Sequence, residues 1–124
     1  MNNFGNLSPG MTRSHDVVVD NKLTTSRTGA PVLSTPMMIW QMEIVCAEMV
    51  DPLLPPGFTT VGYEVSVKHR APAFSGARLQ VWCRLLEADG RRLLFEVKVS
   101  EGEKIVGEGQ HRRAIVLVAP EQTH

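Results

Sequence analysis

The chain has two cysteines in 124 residues, no net charge, few aromatics and no long uninterrupted apolar run. Each shortage excludes something. Cys46 and Cys83 are far apart, sit in apolar contexts and have no CxxC or His/Cys ligand spacing around them. A zinc site and a disulfide framework are therefore not expected, and both residues are read as reduced, buried thiols. Thirteen basic and thirteen acidic residues cancel, and the adjacent basic pairs are Arg91-Arg92 and Arg112-Arg113. Such a chain offers no field to draw in a nucleic acid, although local Arg and Lys remain available for the phosphates of a nucleotide-like group. The longest apolar stretch, 37–50, is interrupted by Gln41, Glu43 and Glu48, too short and too polar to span a bilayer. The first ten residues lack the basic and then apolar segments of a secretion signal. A cytoplasmic protein with no membrane partner and no metal is expected.

Two signatures of common chemistry are also missing. No G-x-S-x-G elbow supports an α/β-hydrolase mechanism, and no glycine-rich loop is present to cradle phosphates. There is neither an internal repeat nor a low-complexity segment. What is present is ordinary globular material: 43% hydrophobic and 21% charged residues in a length that suits one domain over 1–124. A chain of this size buries about two-thirds of the surface its unfolded form exposes, enough for a core without staples.

Residues 1–10, rich in Asn, Gly, Ser and Pro, are expected as a frayed terminus. The β-branched run Val17-Val18-Val19 predicts a first strand over 12–19, followed by a polar connector over 20–34. One helix is expected over 36–50. Thr35 is the expected N-cap, Pro36 suits the first helical turn, and Asp51-Pro52 stops the helix. After the turn at Pro55-Pro56-Gly57, four segments alternate as strands do: 59–69, 79–87, 92–100 and 104–118. Asp89-Gly90 and Glu101-Gly102 are the expected hairpin turns, and Gly107 and Gly109 suggest a bulge or a close backbone approach. Strand, long apolar helix and four meandering strands are satisfied by an α+β hotdog fold, an antiparallel five-stranded sheet wrapped around one central helix.

Three residues break this pattern. A helix turns about 100° per residue, so with Gln41 at zero, Glu48 lies near 340°, Asp51 near 280° and Glu43 near 200°. Glu43 thus leaves the polar edge and joins Pro36, Ile39, Cys46, Ala47 and Val50. A carboxylate there loses hydration unless it is paired, protonated or open to a cleft, and a structural cap or a wet interface would also explain it. On the strand that follows, Val61, Tyr63, Val65, Val67 and His69 share one face by alternation. His69 ends an apolar row, either as a core-edge histidine bonded to backbone or as a working group. Thr35, besides capping, would sit beside free amides and the positive end of the helix dipole, where an oxyanion can be held.

The segments that hold these residues resemble the fluoroacetyl-CoA thioesterase-like group of hotdog proteins. The similarity runs through Ser34-Thr35-Pro36-Met37-Met38, Met42-Glu43 and Val67-Lys68-His69-Arg70-Ala71. It continues through Gly76, Glu87-Ala88-Asp89-Gly90-Arg91-Arg92-Leu93 and Gly107-Glu108-Gly109-Gln110-His111-Arg112-Arg113, covering most of 30–116. The resemblance implies that Thr35, Glu43 and His69 form the catalytic set for a small acyl-CoA thioester, that Gly62 lies at the bound acyl group, and that the sites sit at the interface of a homodimer, without a metal or cofactor. Glu43 would be the attacking carboxylate or the general base for water, His69 the proton shuttle, and Thr35 would orient the acyl group or Glu43. A non-catalytic acyl-CoA-binding module and an acyl-CoA hydratase stay open on the same fold. One departure stands out. The family's fluoroacetyl-specific enzyme carries an aromatic lid upstream of the threonine, whereas Arg27-Thr28-Gly29-Ala30-Pro31 has no aromatic residue, so fluoroacetyl selectivity is not implied.

Overall fold

A computed structural model describes residues 4–119. Strand β1 (Thr12–Val18) leads into a connector that is not wholly irregular. It contains a short 3-10 turn at Asn21–Leu23 and a miniature hairpin of β2 (Thr24–Thr25) with β3 (Val32–Leu33). Helix α1 (Thr35–Val50) follows, then a 3-10 turn at Asp51–Leu53 and strands β4 (Phe58–His69), β5 (Arg78–Asp89), β6 (Arg92–Glu101) and β7 (Lys104–Leu117). The five long strands form one antiparallel sheet in the order β1-β5-β6-β7-β4, with β1 and β4 at its edges. The helix lies across this sheet, as the hotdog expectation requires.

The start of α1 differs from the expectation in one consequential way. Ser34 is the N-cap, its Oγ accepting the Met37 amide at 3.3 Å, and Thr35 is already the first helical residue. A serine immediately before the threonine satisfies the same orphan amide, which releases the Thr35 hydroxyl from that task. Met38, Met42, Val45, Cys46, Met49 and Val50 are buried and belong to the same core as Val81, Cys83, Leu85, Phe95, Val97 and Val99 of the sheet. Each such side chain contributes about 1.5–3 kcal/mol through burial. Cys46 and Cys83 are free and buried; burial and contact with Cys83 push the Cys46 thiol up.

The polar edge of the helix is only partly continuous. His15 of β1 bonds Glu48 Oε1 at 2.8 Å through Nδ1 and Gln41 Oε1 at 3.0 Å through Nε2. Asp51 turns away to β4, accepting from Thr60 Oγ1 at 2.6 Å and Thr59 Oγ1 at 3.3 Å.

Strand β4 corrects the alternation expected of it. Its pairing with β7 slips between Gly62 and Glu64, leaving Tyr63 as an extra residue. A bulge reverses the parity of everything before it. Val65, Val67 and His69 therefore face the helix, whereas Val61 and Tyr63 belong to the outer face, where Tyr63 lies against the Arg92 guanidinium. Gly62, not Val61, occupies the inward position. Both expected hairpins form one residue later than read, with Gly90-Arg91 and Gly102-Glu103 between the paired ends Asp89/Arg92 and Glu101/Lys104. Gly90 and Gly102 carry φ of 59° and 58°, as the first central residue of a two-residue turn needs. The close approach expected at Gly107 and Gly109 is present: a side chain at Gly107 would meet Met38, and one at Gly109 would meet the Ser66 carbonyl and Val67. Of the terminus expected to fray, residues 1–3 lie outside the described residues. From Phe4 on the chain is docked, with Leu7 in the core and Phe4 edge-on to Phe58 of β4.

Candidate active site

Thr35 and His69, 34 residues apart, meet at the first turn of α1, where Thr35 Oγ1 stands 2.8 Å from His69 Nδ1. The last inward position of β4 delivers the imidazole, and the Ser34 cap frees the hydroxyl to receive it. His69 Nε2 is buried and has no hydrogen-bond partner among the described residues. Burial lowers the pKa of His69, with the nearby Ala71 backbone pulling the other way, so the imidazole is held neutral and able to accept a proton. Two clefts share Thr35. One of about 530 Å³ includes Thr25, Arg27, Leu33 and Pro36; the other, about 330 Å³, includes His69, Arg70, Ala71 and Pro72. A further cleft of about 410 Å³ at Asp16, Arg78, Gln80 and Ser100 contains none of the expected site residues.

Glu43 does not join this pair. Eight residues along one helix correspond to about 12 Å of rise, so its carboxylate belongs to a different level of the sheet. There it meets Gly62: a Cβ built on Gly62 would lie 2.9 Å from Glu43 Oε1 and 2.8 Å from His111 Cε1. The four residues expected from the sequence thus form two halves, Thr35 with His69 and Glu43 with Gly62.

The second half contains side chains that sequence reading missed. Arg113 is 7% exposed and forms no ion pair with a carboxylate among the described residues. Its Nε donates to Thr60 Oγ1 at 2.8 Å, its Nη2 to the Thr60 carbonyl at 3.0 Å and its Nη1 to His111 Nε2 at 3.2 Å. Thr60 passes the chain on to Asp51. His111 Nδ1 donates to the Glu64 carbonyl at 2.9 Å, at the bulge. A signal for both residues was present, since His111 and Arg113 share parity with Ile115, a core residue. The glycines at 107 and 109 obscured it by leaving no side chains to mark the inward face. Among the described residues, no set of three His, Cys, Asp or Glu side chains is placed to hold a metal ion, and no helix is long and apolar enough to cross a membrane.

Known proteins share this frame. The profile of the fluoroacetyl-CoA-specific thioesterase family matches residues 15–119. A fluoroacetyl-CoA thioesterase from Streptantibioticus cattleyicolor is 33% identical over 85 residues, which is 68% of this chain and 61% of that protein; the match thus spans less than two-thirds of that relative. The structure of a variant of the fluoroacetyl-CoA-specific thioesterase FlK, in complex with fluoroacetate and CoA, superposes with a TM-score of 0.83 at 29% identity, covering 90% of this chain and 97% of that one. A hot-dog-like protein from Thermanaerovibrio acidaminovorans superposes with a TM-score of 0.81 at 27% identity, covering 88% and 83%. With a profile match over most of its length and the same fold throughout, the chain belongs to the fluoroacetyl-CoA-specific thioesterase family.

Proposed function

We propose that the protein is an acyl-CoA thioesterase, hydrolysing a small acyl-CoA thioester to the free acid and CoA, with Thr35, Glu43 and His69 as its catalytic set and Gly62 beside the acyl group. The observation that carries this is the 2.8 Å contact between the Thr35 hydroxyl and a neutral, half-buried histidine, the relation of a nucleophile to its base. The structural relative solved with fluoroacetate and CoA supports the same substrate class. The Thr35 oxygen attacks the thioester carbonyl as His69 Nδ1 takes its proton. The carbonyl oxygen becomes an oxyanion beside the positive end of α1. The C–S bond then breaks, and the CoA thiolate leaves with the proton from His69. Water hydrolyses the acyl-threonine, with Glu43 as its base, and restores the hydroxyl. Direct attack on the thioester carbonyl, by the Glu43 carboxylate or by water with Glu43 as its base, would give the same products.

Glu43 reaches the other half of the site in a symmetric dimer. Strand β4 is an edge whose Val65, although facing the helix layer, is 39% exposed in the single chain. An open strand edge pairs readily with a second copy of itself. A pair formed along this edge would bring Glu43 and Gly62 of one subunit towards the Thr35–His69 pair of the other and so complete the site. No aromatic residue occupies 27–31, the stretch that corresponds to the aromatic lid of the family's fluoroacetyl-specific enzyme, so general small acyl-CoAs suit the site better than fluoroacetyl-CoA alone. The test is thiol release from purified protein with acetyl-, propionyl-, butyryl- and fluoroacetyl-CoA. Tight binding without release would make it a binding module instead.

A further inference from the structure

His111 is 1% exposed, the most deeply buried of the described histidines, and both its ring nitrogens are committed. The Glu64 carbonyl can only accept, so Nδ1 carries the proton; the Arg113 guanidinium can only donate, so Nε2 is bare. The neutral Nδ1–H tautomer alone meets both demands. The ring stacks on Phe95 of β6, with centroids 6.4 Å apart and planes 28° from parallel. The charged groups that face it are Arg113 on its own strand and Glu43 from α1. The Glu64 carboxylate is taken by Arg112 at 2.7 Å, and Asp51 reaches the cluster only through Thr60. Burial lowers the pKa of His111, the Glu64 hydrogen bond opposes this, Arg113 lowers it further and Glu43 raises it. The Cε1 edge and the Glu43 carboxylate flank the one position, Gly62, at which neither leaves room for a side chain.

We propose that His111 is a positioning residue for thioester hydrolysis: as a neutral imidazole it ties the β4 bulge to β7 through Glu64, fixes Arg113 through Nε2, and so sets where Gly62 and Glu43 stand against the acyl group. This rests on the thioesterase function and extends it to a residue outside the catalytic set. Protonation puts a second N–H against a guanidinium that has only donors, and the two must separate. Because the same ring holds Glu64, the bulge moves with it, and with the bulge the stance of Gly62 beside Glu43.

The test is the acid limb of log(kcat/KM) against pH for wild type, His111→Gln and His111→Phe. Each group that must be deprotonated for turnover adds one to the limiting slope, so His111 steepens the wild-type limb beyond what Glu43 and His69 give. His111→Gln, whose amide oxygen still reaches Arg113 but does not titrate, should reduce the slope by one while keeping most of the plateau kcat. His111→Phe, which supplies no acceptor, should lower kcat by about 10- to 100-fold, the scale of an ångström-level misplacement, with KM changed less. The wild-type imidazole 15N spectrum should show His111 as the Nδ1–H tautomer at neutral pH, a measurement that stands even where a variant fails to fold. A wild-type slope of one, a glutamine variant with an unchanged slope, or a charged or Nε2–H His111 at neutral pH would each overturn the proposal. A wild type that releases no thiol overturns the thioesterase function itself, so the two failures are distinct.

Discussion

Thr35 Oγ1 and His69 Nδ1 lie 2.8 Å apart across a gap of 34 residues, and neither is needed to hold the other's secondary structure. Ser34 caps α1, and backbone pairing to Gly107 secures the end of β4. Thr35→Ala should therefore abolish most turnover while leaving the melting temperature near wild type, and Thr35→Ser should keep more activity. Ser34→Ala should do the reverse, losing about 1 kcal/mol of stability with little change in kcat. Calorimetry and steady-state kinetics on the three variants check the division. A Thr35→Ala protein with full turnover would leave the hydroxyl without a role in catalysis.

Glu43→Gln should fold normally and lose about 100-fold or more in kcat, the usual scale for removing a positioned acid–base group. Glu43 is partly covered and its carboxylate makes no hydrogen bond or ion pair among the described residues, so circular dichroism should be unchanged. Near-normal kcat would remove Glu43 from the chemistry.

Gly62→Ala places a methyl group 2.9 Å from Glu43 Oε1 and 2.8 Å from His111 Cε1. The carboxylate end is the more mobile neighbour and should give way, so the expected loss is mainly in kcat, with a modest fall in stability. Kinetics and thermal melting on Gly62→Ala and Gly62→Val should show a graded effect. An alanine variant with unaltered kcat would show that Glu43 has no fixed position there.

Burial lowers the pKa of both His69 and His111. The unfolded chain, with histidines near 6.5, then binds protons before the folded one does. Their contribution to stability is present above about pH 6.5 and is lost as pH falls from there through the folded pKa values. Thermal melts should thus drop on acidification below neutrality, and less steeply in His111→Gln. A melting temperature flat from pH 7 to 5 would contradict the burial of these neutral rings.

Mixing inactive Glu43→Gln and His69→Ala subunits tests the shared site. With free exchange, half of the dimers are mixed and each regains one of its two sites, so about a quarter of wild-type activity should return. No recovery, with exchange demonstrated by differently tagged subunits, would confine the site to one chain. Val65→Lys on the open edge should produce an inactive monomer by sedimentation; a fully active monomer would refute the dimeric site.

Much of this molecule was legible in its sequence because it depends on local rules. The helix and its end at Asp51-Pro52, the four alternating strands and the hairpins at Gly90 and Gly102 all follow from periodicity, proline and glycine acting over a few residues. Glu43 on the wrong side of its helix and His69 at the end of an apolar row were visible for the same reason. Three features were not, and each depends on non-local contact. Ser34 and Thr35 are adjacent hydroxyls that can each cap a helix, and only the folded chain shows Ser34 as the cap and Thr35 against His69. The Tyr63 bulge is a mismatch between β4 and β7, a property of the pair that neither strand carries alone. Once it reverses the parity of β4, Gly62 turns inward beside Glu43. The His111–Arg113 pair is buried only because Thr60 and the Glu64 carbonyl, some fifty residues earlier, satisfy its donors; a polar group can be left in a core only where tertiary structure supplies its partners.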